Sequence, residues 1–155
     1  MKRKLVGVSP LLALAAALAV SAPQGGAQEE NPRCFGKIAT IVDTDSRFIE
    51  GSGESDVIVG GPRQNLIEGK GGADLICAGG GDDVVRGGPG ADRINGGPGN
   101  DLLYGSGGND KLYGKAGADV LDGKGGKDLC DGGAGKDIAS ARRCDRIRAA
   151  DPFGN

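Results

Sequence analysis

Between Gly51 and Ser140 the chain repeats one nine-residue phrase ten times without an insertion. Self-similarity at a fixed short period marks a solenoid-type architecture, in which each unit cannot bury its apolar side alone and must stack on its neighbours. The cleanest copies are GGPGADRIN (Gly87 to Asn95) and GGPGNDLLY (Gly96 to Tyr104), followed in frame by GSGGNDKLY, GKAGADVLD, GKGGKDLCD and GGAGKDIAS. Glycine holds position one except at Ala78, and position four from Gly72 through Gly135. Position eight is occupied in turn by Ile58, Ile67, Ile76, Val85, Ile94, Leu103, Leu112, Leu121, Cys130 and Ala139.

Each unit therefore divides into a glycine-rich hexapeptide and a three-residue extended piece with a greasy centre, a turn followed by a very short strand. Glycine suits the hexapeptide because it tolerates positive φ and lets backbone carbonyls come close. Stacking turn on turn gives every strand a parallel partner and makes position eight a continuous interior. The hexapeptide ends in Asp56, Asn65, Asp74, Asp83, Asp92, Asp101, Asp110, Asp119, Asp128 and Asp137. Asp and Gly also make ordinary turns, but turns alone need neither a nine-residue frame nor a carboxylate at nine of ten equivalent places.

These residues resemble the hemolysin-type calcium-binding repeat family, the RTX nonapeptide GGxGxDxUx. The resemblance implies an all-β fold, a right-handed parallel β-roll (solenoid) of about five two-repeat coils with terminal caps, and calcium held between hexapeptide loops stacked on one edge. Residues eighteen apart become neighbours. Loops ending in Asp56, Asp74, Asp92, Asp110 and Asp128 then line one edge, and those ending in Asn65, Asp83, Asp101, Asp119 and Asp137 the other. Calcium takes six to eight oxygens, so Asp56, Asp74, Asp83, Asp92, Asp101, Asp110, Asp119, Asp128 and Asp137 are the candidate ligands, with carbonyls of the preceding glycine-rich loops. Without a cation each edge is a ladder of repelling carboxylates. Arg63 and Asn65 break the pattern in one loop, and Glu54 replaces the position-four glycine in another. Discounting gaps that touch those loops leaves about six good calcium sites.

Outside the repeats, residues 1–27 have the form of a secretory signal peptide: Lys2, Arg3 and Lys4, an apolar run from Leu11 to Val20, then small residues. Removing those three basic residues takes the formal charge from −2 by three units to −5, ill suited to nucleic acid. The expected location is secreted or extracellular, with no membrane span after signal removal. Residues 28–50 are expected to form an N-terminal cap, residues 51–140 the repeat array, and residues 141–155 a basic C-terminal cap or tail in which a short helix fits around Ala141 to Ala150. An EF-hand loop starting at Asp43 is rejected, because Arg47 and Phe48 stand where a ligand and a glycine are required.

Cys34, Cys77, Cys130 and Cys144 behind a secretory leader imply two disulfides, for which three pairings exist. Cys130 lies at an inward position and Cys144 just past the last repeat, which favours a bridge between them and leaves Cys34 for Cys77. Free buried thiols are the alternative. A zinc site is disfavoured by the absence of close cysteine spacing and of any histidine.

Position seven faces outward. On the even-numbered repeats it is Leu66, Val84, Leu102, Val120 and Ile138; on the odd-numbered ones the run Val57, Leu75, Arg93, Lys111 and Leu129 is interrupted by charge. The even stripe is a candidate surface for a protein partner or a second copy. Strand propensity combined with cover from the terminal segments is the preferred explanation. The expected function is a secreted calcium-binding β-roll in which calcium drives folding; the alternative is an extracellular adhesive or scaffolding protein whose calcium is purely structural. Catalysis is not expected: the chain carries no histidine, nucleophile elbow, P-loop or dinucleotide fingerprint.

Overall fold

The computed structural model describes residues 32–140, residue 144 and the backbone of residues 146–149. The 1–27 segment and most of the 141–155 tail lie outside the described residues. The chain begins with a small antiparallel hairpin, β1 (Arg33–Cys34) and β2 (Lys37–Ile38), and then enters the coil through β3 (Ile41–Val42) and β4 (Phe48–Glu50). From there each repeat contributes one strand, from β5 (Val57–Val59), β6 (Leu66–Glu68) and β7 (Leu75–Cys77) to β8 (Val84–Pro89), β9 (Arg93–Pro98) and β10 (Leu102–Gly107). The series closes with β11 (Lys111–Ala116), β12 (Val120–Gly125), β13 (Leu129–Ala134), β14 (Ile138–Ala139) and β15 (Arg146–Ala149).

These strands form two parallel sheets, one in the order β14-β12-β10-β8-β6-β4 and the other β15-β13-β11-β9-β7-β5-β3. Within the repeats partners are eighteen residues apart, as in Leu102 opposite Val120 and Leu112 opposite Cys130. The fold is therefore an all-β solenoid with two repeats per coil, the expected β-roll. Position eight fills its interior: Ile58, Ile67, Ile76, Val85, Ile94, Leu103, Leu112, Leu121 and Cys130 are fully buried, with Ile49 and Ala78 beside them and Ile41 and Ala139 packed against the ends. Truncating one such side chain, as in Leu103→Ala, costs about 2–5 kcal/mol.

Three features differ from the sequence expectation. The strands β8 to β13 are six residues long rather than three, because positions one to three of the following loop continue the parallel register; Ser106 sits opposite both Gly88 and Lys124. Within the stretch where a short helix fits, the described residues Arg146–Ala149 instead form β15, which pairs with β13. Helix propensity is a weak prior, and the open edge of β13 offers backbone partners that override it. Finally, the β1–β2 hairpin does not sit across the end of the roll. It lies along the outer side of the odd-repeat sheet against β5 and β7, held by the Cys34–Cys77 disulfide and by Arg93, whose guanidinium stacks 3.9 Å from the centre of the Phe35 ring. The end itself is covered by β3 and β4, which add one more rung to each sheet. Cys130 and Cys144 form the second disulfide and anchor the chain beyond the last repeat.

Candidate metal centres along the two edges

Each hexapeptide loop delivers its terminal carboxylate inward to the coil edge. Asp74, Asp83, Asp92, Asp101, Asp110, Asp119 and Asp128 are at most 2% exposed. Their Oδ1 atoms form two ladders. On one edge Asp74, Asp92, Asp110 and Asp128 accept the backbone amides of Asp56, Asp74, Asp92 and Asp110 at 2.8 to 2.9 Å. On the other, Asp83, Asp101, Asp119 and Asp137 accept from Asn65, Asp83, Asp101 and Asp119 at 2.7 to 3.0 Å. The structure thus brings the carboxylates expected at each edge together at a spacing of one coil.

The second oxygen is different. Oδ2 of Asp74, Asp83, Asp92, Asp101, Asp110, Asp119, Asp128 and Asp137 is buried with no hydrogen-bond partner. In four of the loops it rests over the position-one glycine: a Cβ on Gly87, Gly96, Gly105 or Gly114 would stand 2.2 Å from Oδ2 of Asp92, Asp101, Asp110 or Asp119, whereas the loop of Asp83 carries Ala78 at that position. A buried carboxylate oxygen without a donor costs free energy unless a proton or a cation meets it.

Backbone carbonyls supply further oxygens nearby. A Cβ on Gly90 would meet the Gly72 oxygen at 1.6 Å, and one on Gly88 would meet the Lys70 oxygen at the same distance, so the carbonyls of positions two and four point along the roll at the next loop. In the loops past the first two, position four requires glycine: Gly90 and Gly99 have φ of 144° and 143°. No group of three or more His, Cys, Asp or Glu side chains converges on one point among the described residues. Any cation here takes its shell from few carboxylates and several carbonyls, the all-oxygen set that suits calcium.

The electrostatics agree. Burial raises the carboxyls of Asp92 and Asp101 to about 7 and those of Asp74, Asp83 and Asp110 to about 6, and raises Asp119 as well. The amide donated from the preceding coil opposes the shift in each case, and neighbouring carboxylates add to it.

The first loop on each edge stands apart. Both oxygens of Asp56 are partnered: Oδ2 accepts from the Ser52 amide at 2.7 Å and the Ser52 hydroxyl at 2.8 Å, and Oδ1 from Thr40 Oγ1 at 3.3 Å. Asn65 accepts from the Gly61 amide and donates from Nδ2 to the Ser46 carbonyl at 2.8 Å. These two side chains need no cation. Sequence reading did not single out Ser52, Thr40 and Ser46, since nothing in the nine-residue frame marks them. It also passed over position five, where Ser55, Asp82, Asn100 and Asn109 accept the amide of the residue eighteen further on at 2.8 to 2.9 Å. The signal was available, as polar acceptors recur at that position.

A family model described as the RTX calcium-binding nonapeptide repeat matches the chain in four copies, at residues 50–85, 78–112, 86–121 and 104–139. Together these matches run from residue 50 to residue 139, more than half of the chain. No curated protein and no solved structure matches it.

Proposed function

The chain belongs to the RTX calcium-binding nonapeptide repeat family, and from that premise we propose that it is a secreted calcium-binding β-roll whose folding is driven by the ions it holds. The repeats are a structural and binding module, not a catalytic one. The observation that carries the reading is the set of eight buried, donorless Oδ2 atoms, which begins only after the two fully hydrogen-bonded loops at Asp56 and Asn65. Gaps bounded by two such carboxylates are Asp74/Asp92, Asp92/Asp110 and Asp110/Asp128 on one edge, and Asp83/Asp101, Asp101/Asp119 and Asp119/Asp137 on the other. This makes about six sites, in which calcium supplies the positive charge and the carboxylates and loop carbonyls supply the oxygens.

Each ion bound only by the folded chain adds to its stability in proportion to RT ln(1 + [Ca]/Kd), and the contributions accumulate along the roll. Secretion fits the signal-like leader and the two disulfides, and among the described residues no helix is long and apolar enough to cross a membrane. Counting bound calcium per chain by equilibrium dialysis tests the proposal; about six ions support it, and none overturns it.

A second reading adds a partner surface. Phe48, Leu66, Val84, Leu102, Val120 and Ile138 stand in register as one column on the even-repeat sheet. The hairpin covers the other sheet instead, and Ile138 is 65% exposed. If a second copy covers this column, Leu102→Glu converts a dimer to a monomer in size exclusion at equal calcium; a wild-type chain already monomeric removes self-association.

A further inference from the structure

Position five of the loops carries a task and a charge that separate from one another. The task is to link successive loops: Ser55 Oγ accepts the Ala73 amide at 2.9 Å, Asn100 Oδ1 the Ala118 amide at 2.8 Å and Asn109 Oδ1 the Lys127 amide at 2.9 Å. A neutral side chain performs it in each of these three places. Asp82 makes the same link, its Oδ1 accepting the Asn100 amide at 2.8 Å, and it is the one carboxylate among the ten residues at position five. Its negative charge is therefore surplus to the fold.

That surplus charge lies beside one particular gap. Asp82 bridges from the loop 78–83 to the loop 96–101, whose terminal carboxylates Asp83 and Asp101 are 1% and 2% exposed and each keep a donorless Oδ2. Further along the same edge position five becomes Asn100, then Ala118, then Lys136; the other edge ends in Lys127. The charge at this position thus runs from negative to positive along the roll.

We propose that Asp82 makes the gap between loops 78–83 and 96–101 the tightest calcium site of the chain, acting as an uncoordinated charge beside the ion, and that Lys136 and Lys127 make the last gap on each edge the weakest. The proposal rests on the calcium reading above. Occupancy then spreads from the coil next to the disulfide-anchored hairpin toward the C-terminal end. A unit charge near a divalent ion under near-aqueous screening changes its affinity by about tenfold.

The test is stepwise dialysis of the calcium-loaded chain against falling free calcium, with bound calcium counted per chain. Asp82→Asn keeps the acceptor for the Asn100 amide, as Asn100 does for Ala118, so it isolates the charge. It is expected to release the last ion at about tenfold higher free calcium than wild type. Ala118→Asp is expected to tighten retention by a similar factor in the gap that Lys136 weakens, and Glu54→Gln, an exposed charge on the first loop, to change nothing. Equal retention in Asp82→Asn and wild type overturns the role of Asp82, as does an equal shift in Glu54→Gln. A wild-type chain that retains no calcium at any concentration overturns instead the reading on which the proposal rests.

Discussion

The backbone amide of Asp83 donates to Oδ1 of Asp101 at 2.9 Å, while Oδ2 of the same Asp101 is buried with no partner. One oxygen of this carboxylate ties a coil to the next, and the other has no donor. On the proposed reading, in which a cation meets that second oxygen, coil stacking and ion binding are coupled through single side chains, and metal affinity becomes folding free energy.

The raised carboxyls set a pH dependence in the metal-free chain. Their folded-state values, about 6 for Asp74 and about 7 for Asp92, lie above the ordinary 3.8, so the folded chain binds protons more tightly than the unfolded one. The stabilisation is fully present below the ordinary value and is lost as pH rises toward 7. In EDTA the chain is expected to gain β-structure by circular dichroism on going from pH 7.5 to about pH 5. Over the same range calcium half-saturation should move to higher concentrations, because protons compete for the same oxygens. Loss of β-structure on this mild acidification contradicts the account.

Asp101→Ala removes both a ladder acceptor and a donorless oxygen from the middle of one edge. It is expected to raise the calcium midpoint of folding and to lower the steepness of the transition. Asn65→Ala touches a loop whose side chain is already satisfied by Gly61 and Ser46, and should shift the calcium dependence little. Calcium titrations of equal midpoint and slope for the two variants refute the assignment.

Backbone conformation gives an opposed pair. Gly90→Ala places a Cβ 1.6 Å from the Gly72 carbonyl at a φ of 144°, and is expected to destabilise the calcium-loaded chain by more than about 2 kcal/mol in urea melts. Ser106 is held at φ 87°, in the region that side chains avoid. Ser106→Gly is expected to stabilise the chain by up to about 1 kcal/mol. Melts in which the two substitutions act in the same direction count against the loop geometry.

How much of this was legible in the chain itself divides along the repeat. The solenoid, the position-eight core from Ile58 to Leu121 and the eighteen-residue adjacency follow from a nine-residue period, because every repeat meets the same neighbours. What the period does not govern was not legible. The Cys34–Cys77 pairing is the one the sequence favours, but the face on which it seats the hairpin depends on Cys77 pointing outward and on Phe35 meeting Arg93, residues with no common frame. The Ala- and Arg-rich tail favours a helix locally, yet the free edge of β13 recruits Arg146–Ala149 as a strand. The self-sufficiency of Asp56 likewise comes from Ser52 and Thr40, polar residues that no motif marks.

The two disulfides should differ in weight. Cys34 and Cys77 are 43 residues apart, and Cys130 and Cys144 are 14 apart. Loop-closure entropy then predicts a cost of about 4 kcal/mol for replacing the first pair by serine and about 3 kcal/mol for the second. Urea unfolding at saturating calcium measures both; a larger loss from the shorter loop contradicts this ordering.

The central claim is that this roll folds because it binds calcium, and far-ultraviolet circular dichroism of the purified chain, titrated from excess EDTA into calcium, tests it most directly. The account predicts little β-structure in EDTA at pH 7.5 and a cooperative rise of the β signal as free calcium approaches about 10⁻⁴ to 10⁻³ M, the range of extracellular calcium modules. A β spectrum that persists unchanged in excess EDTA with both disulfides reduced would contradict it.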